Sequence, residues 1–174
     1  MNKARRKPNR RPGLLLALLL AVTTLAVAGR ASVPVARDLA ADGRLAAERR
    51  LPILLVVAAS DCAYCIQLEE DFLIPMLISG DYDDRVIIRK IEIDQANLLR
   101  DFDGRLVTAS ELADRYRASL TPTLLFLDPQ GRELVERMVG LTTPDFFGGY
   151  LDQAIDAARE NLRARPSPPS AATP

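Results

Sequence analysis

Cys62 and Cys65 are the only cysteines in this 174-residue sequence, and two residues separate them. A Cys-x-x-Cys pair can hold a metal ion, form a structural disulfide or exchange electrons with other thiols. The chain has no histidine, and a four-thiolate zinc site would need two more cysteines. A disulfide that closes so small a loop constrains the unfolded chain little, so it stabilises a fold weakly. Redox exchange is therefore favoured, with no metal and no cofactor.

The first 28 residues have the layout of an export signal. A basic head precedes the 15-residue apolar run Leu14–Ala28, and Ala26-Val27-Ala28 offers the small-x-small pattern of a cleavage site. A membrane-spanning helix needs about 20 apolar residues, so a cleaved signal peptide at 1–28 is favoured over an uncleaved anchor. Export would move the cysteines into a compartment where disulfide chemistry is allowed.

The rest of the chain reads as one mildly acidic domain with a tail. Residues 1–28 hold six of the 23 basic side chains and no acidic one, which leaves 17 basic against 23 acidic side chains. No basic face for nucleic acid is expected from that balance. Every strong periodic pattern falls within residues 36–163, the size of a single domain. Residues 164–174 are rich in Pro, Ser and Ala, which predicts a disordered tail.

Alternating helices and strands should position the two cysteines. The pattern predicts a helix over 36–49 and then a strand over 52–59, PILLVVAA, buried on both faces. The cysteines open the next helix, 62–72, which Pro75 should end or kink. A second strand is predicted over 85–94.

The second half of the domain closes the predicted sheet. Thr108 begins a capping box that opens a helix to Arg117. Strands at 122–128 and 132–139 flank a short turn and should pair antiparallel. Thr143 should cap the last helix, which runs to about Leu162. The first two strands are joined by a helical crossover, so they should be parallel. The predicted fold class is α/β, a four-stranded mixed sheet with helices on both faces.

Three smaller interpretations concern charged and aromatic side chains. Lys90 reads as a solvated lysine at a strand edge, and Glu69-Glu70-Asp71 as a solvated helix face. Phe146, Phe147 and Tyr150 read as core residues of the last helix.

At this point the sequence resembles the thioredoxin superfamily over about residues 36–162. The cysteine pair follows a buried strand, and Leu120-Thr121-Pro122-Thr123 stands directly before another strand. Ile91-Glu92-Ile93-Asp94 and Val139-Gly140 match the endings of two further strands. The sequence is most similar to exported bacterial members of the SoxW and Dsb-type thioredoxin-like group.

The resemblance implies a thioredoxin fold and a periplasmic thiol:disulfide oxidoreductase, with reductase service as the first choice. It implies a cis peptide bond before Pro122, and substrate pairing with the backbone of Thr121 as an added strand. The expected partners are proteins with disulfides or thiols, with a membrane electron donor as a candidate. A monomer is expected. A disulfide isomerase or oxidase, and a non-catalytic or copper-handling module, are the alternatives.

The chemistry of the pair should be asymmetric. A helix N-terminus stabilises an anion, so Cys62 should be the attacking thiolate and Cys65 the buried resolving thiol. Ala63 and Tyr64 between them should tune the potential and meet the substrate, although Tyr64 also fits a surface packing role. Two positions depart from the family. Asp61 stands in place of its tryptophan, and Val56 replaces the buried aspartate that usually accepts the second cysteine's proton.

Overall fold

A computed structural model describes residues 31–165, and it contains one four-stranded sheet and one small ribbon. The strands are β1 (Ile53–Ala58), β2 (Ile87–Glu92), β3 (Leu98–Arg100), β4 (Leu106–Thr108), β5 (Thr123–Leu127) and β6 (Met138–Val139). The helices are α1 (Leu39–Arg49), α2 (Ala63–Leu68), α3 (Ile74–Ser79), α4 (Ala109–Arg115) and α5 (Pro144–Ala164).

The main sheet has the order β2-β1-β5-β6. β1 is parallel to β2 and antiparallel to β5, and β5 is antiparallel to β6. The predicted α/β class with a four-stranded mixed sheet is therefore confirmed. Every residue of β1 is buried, as expected for a continuous apolar strand covered on both faces.

Two apolar clusters cover the two faces of this sheet. On one face, α1, α4 and the β3–β4 ribbon pack against alternate strand residues such as Leu55 and Ile91. On the other face, the α2–α3 region and α5 pack against Leu54, Val56 and Phe126. Side chains alternate along a strand, so neighbouring residues of β1 or β2 contribute to opposite cores. The cysteines stand at the start of α2, and α2 belongs to the second core.

The helix that follows the cysteines does not end near Phe72, so that prediction was wrong. It continues through a π-helical segment, Glu69–Leu73, into α3 and ends at Ser79. A proline inside a helix lacks a donor for the carbonyl four residues earlier, and its ring crowds that carbonyl. The π-helical segment ends just before Pro75. Its hydrogen bonds join residues five apart, where those of an α-helix join residues four apart, so the backbone can accommodate a residue without an N–H donor.

The fourth strand is much shorter than predicted. Only Met138–Val139 pairs regularly with β5, and Glu133 forms one isolated bridge with Leu127. Glu133 and Met138 are five residues apart in the sequence. Their partners on β5, Leu127 and Leu124, are only three residues apart. The extra residues bulge out of the sheet, so the regular ladder is interrupted.

The predicted helix start at Thr108 is confirmed, whereas the cap predicted at Thr143 and the helix start predicted at Ala36 were wrong. Thr108 forms both halves of the predicted capping box. Thr143 occupies the cap position in a left-handed conformation, and its side chain caps nothing. Ala36 lies outside α1, since its N–H donates to the carbonyl of Lys90 at 2.8 Å and extends the sheet edge. The β3–β4 ribbon was not predicted, because its strands are only three residues long.

Gly43 in α1 permits a close approach between this helix and the turn that joins β5 to β6. A Cβ atom added at Gly43 in α1 would lie 2.4 Å from the carbonyl oxygen of Pro129. The helix can therefore pack against the β5–β6 turn only with glycine at this position.

The predicted ends of the domain fall partly outside the described residues. The signal peptide predicted at 1–28 lies outside them, as do residues 166–174 of the predicted tail. Ala164 closes α5 and Arg165 donates to the Asp128 carboxylate at 2.7 Å, although the sequence pattern placed both residues in the tail. Within residues 31–165, none of the helices combines the length and apolar character needed to cross a membrane.

Candidate active site

The two cysteines form a disulfide at the start of α2, with their Cα atoms 5.2 Å apart. Cys62 is the N-cap residue, and its sulfur accepts a hydrogen bond from the backbone N–H of Cys65 at 3.1 Å. Cys65 is buried at 2% exposure, whereas Cys62 is half-buried. The buried end of β1 leads directly into this turn, so a rigid strand sets the position of Cys62.

The turn before Cys62 is tied to the neighbouring strand. The Asp94 carboxylate accepts the N–H of Ser60 at 3.0 and 3.1 Å, and it also accepts the Ser60 hydroxyl. These hydrogen bonds, the side-chain one first, lower the pKa of Asp94 below its ordinary value. Asp94 follows β2, which is parallel to β1, so both strands end at this edge. The sequence had matched Asp94 to a strand ending, but nothing in it paired Asp94 with Ser60.

The Thr121–Pro122 peptide bond is cis and lies at the same edge of the sheet. β5 runs antiparallel to β1, and Thr123 pairs with Val57, so the start of β5 adjoins the end of β1. Thr121 is half-buried and Pro122 is buried. The Pro122 carbonyl accepts the N–H of Gly140 at 2.8 Å. The fold thus brings the Thr121-Pro122 pair to the edge that carries the cysteines.

Exposed apolar side chains accompany both segments. Tyr64 is 61% exposed and Ile66 is 50% exposed on α2, and Leu120 before the cis bond is 66% exposed. Ala63, the remaining residue between the cysteines, is also exposed.

A charged cluster lies on the sheet face that α2 covers. The ammonium of Lys90 lies 2.8 and 3.1 Å from the Glu69 carboxylate oxygens and 3.1 Å from Glu92. The side chains of Lys90 and Glu69 are only 13% and 16% exposed. The predictions of a solvated lysine and a solvated Glu69 were therefore wrong. Lys90 is enclosed because residues 34–36 pair with its backbone and Glu69 covers its side chain.

Burial and ion pairing act against each other at Lys90. Burial lowers the pKa of Lys90, but the hydrogen bonds to Glu69 and Glu92 outweigh burial and leave this pKa above its ordinary value. Lys90 therefore carries its charge at neutral pH.

The last helix places its aromatic side chains unevenly. Phe147 is fully buried, with its ring centroid 5.0 Å from that of Phe72. Phe146 and Tyr150 are 67% and 51% exposed, so their prediction as core residues was wrong. The four-residue spacing of Phe146 and Tyr150 puts them on one helix face, and that face points away from the core.

The fold and the site together define a disulfide-bearing α/β domain in which the cysteine pair caps a helix. The family model described as "Thioredoxin-like domain" matches residues 39–155. The chain belongs to this family. No curated protein is similar enough to the sequence to count as a relative.

Several solved thioredoxin structures are similar to the chain at low identity. Thioredoxin from Fasciola hepatica is 21% identical, with a TM-score of 0.46, covering 71% of this chain and 96% of that one. Oxidised thioredoxin O2 from Arabidopsis thaliana is 22% identical, with a TM-score of 0.45 and coverages of 71% and 95%. Oxidised mitochondrial thioredoxin 3 from Saccharomyces cerevisiae is 15% identical, with a TM-score of 0.48 and coverages of 71% and 93%. The family assignment rests on the family model and not on these likenesses.

Proposed function

We propose that this protein is an exported thiol:disulfide oxidoreductase that reduces disulfides of other proteins. The observation that carries the proposal is the Cys62–Cys65 disulfide at a helix N-terminus, with Cys62 half-buried and Cys65 buried. That asymmetry suits an attacking thiol and a resolving thiol. The N–H of Cys65 points at the Cys62 sulfur, so it can also stabilise a thiolate there.

The reaction runs in two exchanges. The Cys62 thiolate attacks one sulfur of a substrate disulfide. The substrate S–S bond breaks, and one substrate sulfur leaves as a thiolate while the other stays bonded to Cys62. Cys65 then loses its proton and attacks the Cys62 sulfur, which releases the second substrate thiol and forms the Cys62–Cys65 disulfide. Two electrons pass from the cysteine pair to the substrate.

Substrate binding would use the sheet edge beside the cysteines. The Thr121 backbone precedes β5 and can pair with an extended substrate segment as an added strand. Tyr64 and Leu120 offer exposed apolar surface to such a segment. The N-terminal pattern at residues 1–28 supports a periplasmic location and membership of the SoxW and Dsb-type group. We further propose that a membrane protein re-reduces the pair and that the protein acts as a monomer.

Two serine substitutions test this function in the full-length protein. Cys62→Ser should abolish insulin reduction, because the attacking sulfur is gone. Cys65→Ser should accumulate a mixed disulfide between Cys62 and the substrate, visible on a non-reducing gel. Insulin reduction at the wild-type rate by the Cys62→Ser protein would rule out the mechanism. Measuring the reduction potential of the cysteine pair then shows in which direction electrons flow, since a strongly oxidising value would indicate an oxidase or isomerase.

A further inference from the structure

Lys90 is the only lysine after residue 7, and every other basic residue of the described region is an arginine. Arginine stays protonated in proteins, whereas lysine is a flexible point charge that changes partner and protonation more readily. The one lysine is also the cation that contacts two carboxylates beneath α2, those of Glu69 and Glu92. This choice of cation distinguishes the cluster from the other enclosed ion pairs.

The buried aspartates of the described residues are all paired with arginine. Asp42 is held by Arg89, and the other two take arginine partners at 2.6 and 2.7 Å: Asp101 with Arg115, and Asp128 with Arg132. An arginine fork holds a carboxylate in its ionised form with strong, directed hydrogen bonds. Glu69 has no such fork, because its partner is the shared ammonium of Lys90.

Glu69 lies one helical turn after Cys65. The backbone N–H of Glu69 donates to the carbonyl of Cys65, so the turn between them is helical. Residues four apart on a helix have Cβ atoms about 5–6 Å apart on the same face. Both side chains are withdrawn from solvent on this face, Cys65 completely and Glu69 largely. The carboxylate is thus the nearest acidic group along the helix to the buried sulfur.

No other strand residue facing this cluster carries a charge. On β1, Val56 pairs with Lys90 and Ala58 pairs with Glu92. On the outer edge, Val35 forms a bridge with Lys90. Among these strand residues, the charged groups that face Glu69 are therefore Lys90 and Glu92, while Asp61 and Asp94 lie at the Cys62 end of the site.

We propose that Glu69 exchanges the proton of the Cys65 thiol, and that Lys90 is the positioning residue that holds Glu69. The inference rests on the proposed function. When Cys65 resolves a mixed disulfide, its S–H bond breaks and the proton moves to the Glu69 carboxylate. The thiolate attacks the Cys62 sulfur, the bond from Cys62 to the partner breaks, and the partner sulfur leaves with the electron pair. The proton on Glu69 then passes to the leaving thiolate or to water.

The double contact of Lys90 suits this proton transfer. Once Glu69 is protonated and neutral, the ammonium keeps an ionised partner in Glu92, 3.1 Å away. The raised pKa of Lys90 means that it keeps its own proton through the cycle. Glu69 can therefore change its charge without leaving Lys90 buried and unpaired.

Stopped-flow reaction of the reduced, full-length protein with 5,5′-dithiobis(2-nitrobenzoate) separates the two steps. The first phase of coloured thiolate release reports attack by Cys62, and the second reports resolution by Cys65. At pH 7, Glu69→Gln should slow the second phase by about a hundredfold, the lower end of the range for general acid–base catalysis. The first phase should keep its rate. The matched control is Glu70→Gln, which alters an exposed neighbour in the same π segment.

The pH profile separates proton exchange from a structural lesion. The deficit of Glu69→Gln should shrink above about pH 8.5, the ordinary pKa of a thiol, because solvent then ionises thiols without help. A deficit that is constant with pH would overturn the inference, as would a wild-type second phase at pH 7. If neither cysteine releases the coloured thiolate in the wild type, the proposed function itself fails.

Lys90→Arg gives a second test if Glu69→Gln folds poorly. It preserves the positive charge and the ion pair, but an arginine fork would hold Glu69 ionised and make it a weaker proton acceptor. The second phase should slow several-fold with an unchanged first phase. A second phase at the wild-type rate in this variant would contradict the proposal.

Discussion

Arg89 and Lys90 are adjacent in β2, but they face opposite cores and hold their carboxylates in different ways. Arg89 contacts Asp42 of α1 through Nε at 3.0 and 3.1 Å and through Nη2 at 2.7 Å. Lys90 shares one ammonium between Glu69 and Glu92 on the other face. The arginine contact is a two-pronged clamp between a helix and the sheet, whereas the lysine contact has interchangeable partners.

The protein uses arginine where a carboxylate keeps its charge and lysine where, as we propose, a carboxylate changes its charge. At α1 and α4, arginine holds the buried carboxylates of Asp42 and Asp101, and these helices cover the sheet face opposite α2. On the opposite face, the carboxylate beside α2, that of Glu69, is paired with lysine, and the cysteine pair belongs to α2. Removing the arginine clamp should therefore cost stability, while altering the lysine cluster should change the rate of thiol exchange.

The largest stability effect should come from breaking the arginine clamp. Arg89→Met leaves the Asp42 carboxylate buried without a cation, which should lower the free energy of unfolding by about 3 kcal/mol. Urea denaturation followed by circular dichroism measures the loss. The second phase of thiol exchange should keep its rate wherever the variant remains folded.

A matched control is the exposed pair of Arg49 and Asp84. Its atoms are 3.0 Å apart, but the Asp84 side chain is 94% exposed. Arg49→Met should therefore change the unfolding free energy by less than about 0.5 kcal/mol. Equal losses in the two variants would show that the clamp contributes no more than an ordinary surface pair.

Sequence patterning predicted the regular parts of the fold and missed what depends on contacts between elements. β1 was recognisable because an apolar strand-length run needs cover on both faces, and the capping box at Thr108 is a purely local signal. The bulge before β6 and the π segment before Pro75 are compromises between distant neighbours. No local periodicity encodes such compromises.

Contacts between distant elements also decide which parts of the candidate site could be predicted from the sequence. The spacing of Cys62 and Cys65 stands in the sequence, so their pairing could be predicted. The burial of Lys90 and Glu69 could not, because it depends on residues 34–36 lying along β2 and on helix and strand meeting face to face. A single lysine among arginines was the available signal, and composition alone does not say where that lysine lies.

Acid titration offers an intermediate test of the arginine-held charges. Burial raises the pKa of Asp101, but hydrogen bonds from Arg115 and the Arg105 backbone outweigh it and leave the pKa below its ordinary value. Such a group contributes stability that is present above its unfolded pKa, near 4, and lost as the pH falls through the lower folded value. Unfolding curves between pH 5 and pH 2.5 should therefore show falling stability.

The Asp101→Asn variant should be less stable than the wild type at pH 7. Between pH 5 and pH 2.5, its unfolding free energy should also change less with pH. The difference in slope should correspond to at most about one proton taken up on unfolding. Its second phase of thiol exchange at neutral pH should match the wild type, as expected for a fixed structural charge. If the variant lost stability between pH 5 and pH 2.5 as steeply as the wild type, Asp101 would not be one of the groups that control stability in acid.

The smallest effect should come from Asp94, which belongs to neither face and holds the turn before Cys62. Asp94→Asn turns an amide toward the Ser60 donors and weakens the tie between β2 and the turn. The first phase of thiol exchange should slow by about threefold, the scale of one lost hydrogen bond. The melting temperature should stay close to that of the wild type, because the group is exposed. Ser60→Ala, which removes only the hydroxyl donor, should show a smaller change in the same direction. A slower second phase with an unchanged first phase would instead link Asp94 to Cys65, and the separation between the positioning of Cys62 and the proton exchange at Cys65 would fail.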